Sequence, residues 1–143
     1  FGLPADLEEA VRAARGRWLV TGSAGFIGSH LLETLLRLGQ QVVSLDNFAT
    51  GHRSNLQEVA GRAGEAAWRN HRFIEGDIGS RETCEAACRG VRLVLHQAAL
   101  GSVPRSIDDP LGSLHSNVVG FLNLLVAARE SGTRCAKEAQ RPG

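Results

Sequence analysis

Gly22, Gly25 and Gly28 stand three residues apart in the stretch TGSAGFIGSH, residues 21–30, between a short apolar run and a longer helical pattern. In that context the glycines have distinct tasks. Gly22 allows a tight turn, Gly25 leaves out the Cβ that would block a pyrophosphate, and Gly28 lets the following helix press on the sheet. The free N–H groups and positive end of that helix would then face the phosphates. A second contact is expected at Asp46, which ends the next apolar run eighteen positions after Gly28. A carboxylate there accepts hydrogen bonds from both hydroxyls of an adenosine ribose and repels a 2′-phosphate, so NAD is expected rather than NADP. Arg53, seven residues later, could pair with such a phosphate, but the carboxylate at the strand end outweighs it.

These residues need strands and helices to position them. Residues 5–14 place Leu7, Ala10, Val11 and Ala14 on one helix face, a short leader helix within 1–16. Strands are expected at 18–21, 41–46, 71–77 and 91–96, and helices at 26–38, 54–63, 80–90 and 111–130, with Ser80 as an N-cap. In the last helix Leu114, Val118, Phe121, Leu122, Leu125 and Val126 recur at helical spacing. The stretch 97–110 holds two prolines and a glycine and reads as a long, functional loop. Strands alternating with helices imply a doubly wound parallel α/β sheet. A domain over 17–132 follows. The segment 133–143 carries four charges and reads as a divergent polar tail, so the sheet is expected to stop after its fourth strand and the following helix.

The 143 residues suit one domain. With 43% hydrophobic and 22% charged residues, the chain lies away from the composition of disorder. Sixteen basic against fifteen acidic residues form no run of like charge, so neither nucleic acid nor an anionic membrane is an expected partner. The uninterrupted apolar stretches fall short of the roughly 20 residues that span a bilayer, and a soluble intracellular protein is expected. There is no Met, even at position 1, and the chain reads as a fragment of a longer gene product. Cys84, Cys88 and Cys135 lack metal spacing; the first two, four apart, read as packed thiols. His96 ends a strand and reads as a structural hydrogen-bonder, while His30, His52, His71 and His115 show no metal spacing.

The stretches TGSAGFIGSHLLETLL, LDNFATGHRSNL, LHQAALGSVPRS and NVVGFLNLL resemble the extended short-chain dehydrogenase/reductase family over residues 17–132. Within it the likeness is to UDP-N-acetylglucosamine 4-epimerases. The resemblance implies a Rossmann-like fold and NAD held by Gly22, Gly25, Phe26, Ile27 and Gly28 at the pyrophosphate, and by Asp46, Asn47, Phe48, Thr50 and Gly51 at the ribose. It further implies Asp77 and Ile78 at the adenine, Gln97, Ala98 and Ala99 near the nicotinamide half, and Asn117 on the cofactor side. Gly101, Ser102 and Val103 match a loop that approaches the sugar. A UDP-sugar substrate, a homodimeric complete protein and a cytoplasmic setting in polysaccharide biosynthesis are implied with it.

Epimerases of this family use a Ser or Thr with a Tyr-x-x-x-Lys pair to move the proton of the sugar 4-hydroxyl. The chain has no Tyr, and its one Lys is Lys137 in the polar tail. No catalytic residue is assigned, and the chain by itself is expected to be inactive. Two other readings stand beside the epimerase: a non-catalytic NAD-binding module, and the first half of a nucleotide-sugar 4,6-dehydratase or decarboxylase.

Overall fold

The computed structural model describes residues 3–99 and 107–133, and the backbone of 135–138. Five strands run in parallel: β1 (Arg17–Thr21), β2 (Val42–Asp46), β3 (His71–Glu75), β4 (Val91–His96) and β5 (Cys135–Glu138), in the order β3-β2-β1-β4-β5. The chain lays β1, β2 and β3 in one direction, then returns to the other side of β1 for β4. The order therefore reverses between β1 and β4, and a crevice opens at their carboxyl ends, where doubly wound sheets bind ligands.

Side chains of successive strand residues leave on opposite faces, and two cores result. Leu19, Val43, Leu45 and Val94 pack on one face with Cys84, Ala87, Leu124 and Ala128, from α5 (Arg81–Cys88) and α6 (Pro110–Glu130). Val20 and Val42 pack on the other with Leu32, Leu36, Leu56 and Val59, from α2 (Phe26–Arg37) and α3 (Arg53–Ala63). The register of β4 slips by one residue at Arg92, which restores Val91 to the face of Val94. α1 (Ala5–Ala13) contributes Val11, and the short α4 (Glu65–Trp68), not anticipated from the sequence, contributes Trp68. Ser80 caps α5 as expected, its Oγ accepting the Thr83 N–H. Cys84 and Cys88 are free, buried thiols, pushed up to about 12 and about 11 by burial.

Three expectations change. The polar tail adds a strand: β5 pairs with Leu93–His96 of β4, so the sheet does not stop at four strands. Main-chain pairing needs no apolar side chains, and it satisfies a β4 edge that would otherwise be bare; Lys and Glu are tolerated on the new edge strand. Next, the long helix turns the other way. Ser113, Gly120, Leu124, Ala127 and Ala128 are its buried residues, while Leu111, Leu114, Val118, Leu122 and Leu125 are exposed. Small residues let a helix approach closely: a Cβ on Gly120 would stand 2.6 Å from Ile78 Cγ1. Finally, an 18-residue window of this 21-residue helix reaches a mean hydropathy of 1.4, long and apolar enough to cross a membrane by length and composition alone. Here the helix packs against α5.

Candidate functional site

The crevice holds a cavity of about 320 Å3. Its wall takes Gly22 and Gly25–Gly28 from the turn after β1, Leu45, Asp46, Asn47, Ala49 and Thr50 from the end of β2, and Gly76, Asp77 and Ile78 after β3. Gln97, Ala98 and Ala99 follow β4, and Ser116 comes from α6.

The turn is tight because its backbone is held by β2 and by a bond within the turn. The Gly22 N–H donates to the Leu45 carbonyl at 2.8 Å, and the Gly25 N–H donates to the Gly22 carbonyl at 3.1 Å. Gly22 has φ +70°, and a Cβ there would lie 2.7 Å from the Gln97 and Ala98 backbone. A Cβ on Gly28 would collide with the Gly22 carbonyl oxygen, so α2 can begin here only with glycine at that position. No side chain caps α2, and its first turn has no acidic residue. That leaves backbone donors and the positive helix end facing the cavity, which suits a pyrophosphate. Gln97 Nε2 is buried in the cavity wall without a hydrogen-bond partner, a donor still open to an acceptor in a bound group. The residues present fit a dinucleotide.

Asp46 is buried, and its carboxylate joins two segments: Oδ2 accepts the Ala24 N–H at 2.8 Å and Oδ1 accepts the Phe48 N–H at 2.7 Å. Each carboxylate oxygen keeps further acceptor capacity. Asn47 donates from Nδ2 to Asp77 Oδ2 at 2.9 Å, and the Gly79 N–H donates to Asp77 Oδ1 at 2.7 Å, so the ends of β2 and β3 form one polar rim. Arg53 is engaged elsewhere: it reaches Glu75 Oε1 at 2.8 Å and lies 4.2 Å above the Phe48 ring. A cation so engaged is a poor match for a 2′-phosphate.

Three expected contacts lie off the cavity wall. Phe48 has φ +58° and packs against Phe73 at 5.5 Å. Gly51 is buried behind the turn, where a Cβ would stand 2.7 Å from Ala24 Cβ. Both support the site from outside. Asn117 is exposed in a π-helical stretch, His115–Val119, and its neighbour Ser116 lines the cavity instead; the wider i→i+5 turn rotates the helix face relative to an α-helical count. Gly101, Ser102 and Val103 lie outside the described residues. Leu45, Ala49, Gly76 and Ser116 were missed. All four adjoin residues that the sequence singles out, but no side-chain chemistry marks them.

His96 carries no sign of proton transfer. It is buried, lies stacked 5.2 Å from Phe121, and burial brings it down to about 4. Thr21 Oγ accepts the Gln97 and Ala98 N–H groups at 3.1 and 3.2 Å and lies 2.6 Å from His96 Nδ1. With both hydroxyl lone pairs used, Thr21 donates to Nδ1, which fixes a neutral ring protonated at Nε2. The histidine thus anchors the end of β4.

Residues 18–137 match the model of the family described as the NAD dependent epimerase/dehydratase family. The chain is 38% identical over 116 residues to a UDP-glucose 4-epimerase of Erwinia amylovora, covering 80% of this chain and 33% of that protein. It is 34% identical over 120 residues to UDP-glucuronic acid decarboxylase 1 of Danio rerio, covering 84% and 26%. The structure of Thermus thermophilus UDP-glucose 4-epimerase in complex with NAD is similar at a TM-score of 0.70 and 41% identity, over 84% of this chain and 36% of that one. UDP-N-acetylglucosamine 4-epimerase of Methanobrevibacter ruminantium, solved with UDP-N-acetylmuramic acid, is similar at 0.72 and 29%, over 85% and 36%. The chain thus spans between a quarter and two fifths of the length of these proteins.

Proposed function

The chain belongs to the NAD-dependent epimerase/dehydratase family, and from that premise we propose that it is the NAD-binding portion of a nucleotide-sugar 4-epimerase that interconverts UDP-GlcNAc and UDP-GalNAc. The observation that carries this reading is the joining of the glycine turn to the end of β2 through Asp46, with an uncapped helix N-terminus in the same cavity. The backbone of Gly22 and Gly25–Gly28 holds the pyrophosphate, and Asp46 and Asn47 hold the ribose. Asp77 and Ile78 lie against the adenine. Gln97, Ala98 and Ala99 orient the nicotinamide half, with Thr21 and His96 fixing their backbone. NAD, when bound, supplies the hydride acceptor for transient oxidation at carbon 4 of the sugar. Thr50 and, from α6, Ser116 complete the cofactor side, with Phe48 and Gly51 as supports.

Calorimetric titration with NAD and NADP tests the cofactor: NAD is expected to bind with the higher affinity, and equal or tighter NADP binding rejects the assignment of Asp46. The acetylated substrate rests on the stretches DNFATGH and HQAALGSVPRS and on likeness to a UDP-N-acetylglucosamine epimerase. A chimera joining this chain to the remainder of a related epimerase, assayed on acetylated and non-acetylated UDP-sugars, decides it; turnover of the non-acetylated pair alone rejects it.

The likeness to a UDP-glucuronic acid decarboxylase favours a second reading, the first half of a decarboxylase or 4,6-dehydratase. Absence of tyrosine from the 143 residues agrees with a chain that binds the cofactor without turning over sugar, which is also what a non-catalytic NAD-binding module would do. Sequencing the gene beyond codon 143 separates these: a Ser or Thr with Tyr-x-x-x-Lys restores an enzyme. We place the complete protein in the cytoplasm as a homodimer, with the exposed stripe Leu114, Val118, Leu122 and Leu125 covered by a second copy.

A further inference from the structure

Away from the glycine turn, at the amino ends of the strands, a second concavity of about 650 Å3 opens between the end of α1 and the turns entering β1, β2 and β4. Its wall contains Arg12, Arg15 and Arg17 and no acidic residue. Elsewhere Arg53, Arg62, Arg69 and Arg81 are neutralised by glutamates. Here Arg12 alone is paired, with Glu8 at 3.0 Å; the side chains of Arg15 and Arg17 form no ion pair or hydrogen bond among the described residues.

The surroundings keep this charge open to a ligand. Gly16, Gly39 and Gly90 line the concavity and contribute only backbone to its wall. Arg17 Nη1 lies 3.8 Å from where a Cβ on Gly90 would stand, so the guanidinium rests over bare backbone. The Arg92 stem packs along Gly16, its Cβ 2.7 Å from a Cβ built there. Gln40, in the floor, is already satisfied: its Oε1 accepts from Trp18 Nε1 at 3.0 Å and its Nε2 donates to the Leu38 carbonyl at 3.2 Å. The positive groups are therefore the available binding chemistry.

A guanidinium presents a planar fork of donors that matches phosphate oxygens, and like charges in a concavity focus the field. No aromatic residue lines the wall, so nothing there would stack on a base. We propose that this concavity is a second anion site, separate from the cofactor cavity, that takes a compact phosphate-bearing dianion through Arg15 and Arg17.

Titration of the isotope-labelled chain with inorganic pyrophosphate at constant ionic strength, followed by amide NMR shifts, tests this. The expected result is a set of saturable shifts at residues 15–18, 39–41 and 90 that follows its own binding curve, separate from any at the glycine turn. Affinity should fall about tenfold or more in Arg15→Gln and in Arg17→Gln, each of which removes a charge-assisted contact. Arg15 is exposed and lies between elements, so its variant keeps the fold; an unchanged amide spectrum away from the site checks this. Shifts at Gly22–Gly28 with none at residues 15–18, 39–41 and 90, an affinity at those residues unchanged in both variants, or no saturable binding would each overturn the proposal.

Discussion

Asp46 Oδ2 lies 2.8 Å from the Ala24 backbone nitrogen, so the carboxylate at the end of β2 holds in place the turn that follows β1. The proposed function gives the same side chain a ribose to bind, and the two tasks separate by substitution. Asp46→Ala leaves the Ala24 and Phe48 N–H groups without their acceptor, and should cost about 1–3 kcal/mol of stability in urea unfolding. It should also weaken NAD by about 1.5–3 kcal/mol in calorimetry at a temperature where the variant is folded. Loss of stability with NAD affinity unchanged would leave Asp46 a purely structural residue.

Gly28→Ala and Gly61→Ala are predicted to act in opposite directions. A Cβ at Gly28 meets the Gly22 carbonyl, whereas one at Gly61, in the interior of α3, meets nothing within 4 Å. Thermal unfolding should show Gly28→Ala destabilised by about 3 kcal/mol and Gly61→Ala stabilised by about 0.5–1 kcal/mol. A neutral Gly28→Ala would mean that the turn relaxes away from α2.

Stability should fall on mild acidification through two histidines. His71, within 2.6 Å of Ser44 Oγ and 4.2 Å from the Trp68 ring, and His96 are both brought from 6.5 down to about 4 by burial. Their folded pKa is depressed, so the unfolded chain binds more protons between about 6.5 and about 4. The stabilisation is complete above the unfolded value and is lost as pH falls through this window. His71→Gln and His96→Gln should each flatten the fall of Tm between pH 7 and 4; an unaltered slope in both would place the acid sensitivity elsewhere.

Self-association is expected through α6. Leu111, Leu114, Val118, Leu122 and Leu125 are exposed on it, a contiguous apolar stripe of the kind that marks an interface. Light scattering after size exclusion should give a dimer or larger species, and Leu122→Lys should return it to monomer. A wild-type chain that stays monomeric at high concentration would remove the support for a homodimer.

Epimerisation of UDP-GlcNAc by these 143 residues alone should be undetectable. The neutral, buried His96 is committed to Thr21, and the chain has no Tyr to take the 4-hydroxyl proton. Measured turnover would mean that another base is at work.

Much of the cofactor cavity was legible in the residues themselves, because its requirements are local. A tight turn, a helix start and a strand-end carboxylate each demand a residue type at a set spacing, so Gly22, Gly25, Gly28 and Asp46 declared themselves. The first four strands were equally plain in their short apolar runs. What tertiary structure alone decided depends on partners distant in the chain. The tail at 135–138 has no strand-like composition, and it becomes β5 because β4 offers unpaired backbone. The apolar stripe of α6 is plain in sequence, but which side packs was settled by Gly120, Ala127 and Ala128, whose small size permits close contact. A π turn then exchanged Asn117 for Ser116 at the cavity wall, since helix phase is set by packing and backbone pairing rather than by spacing along the chain.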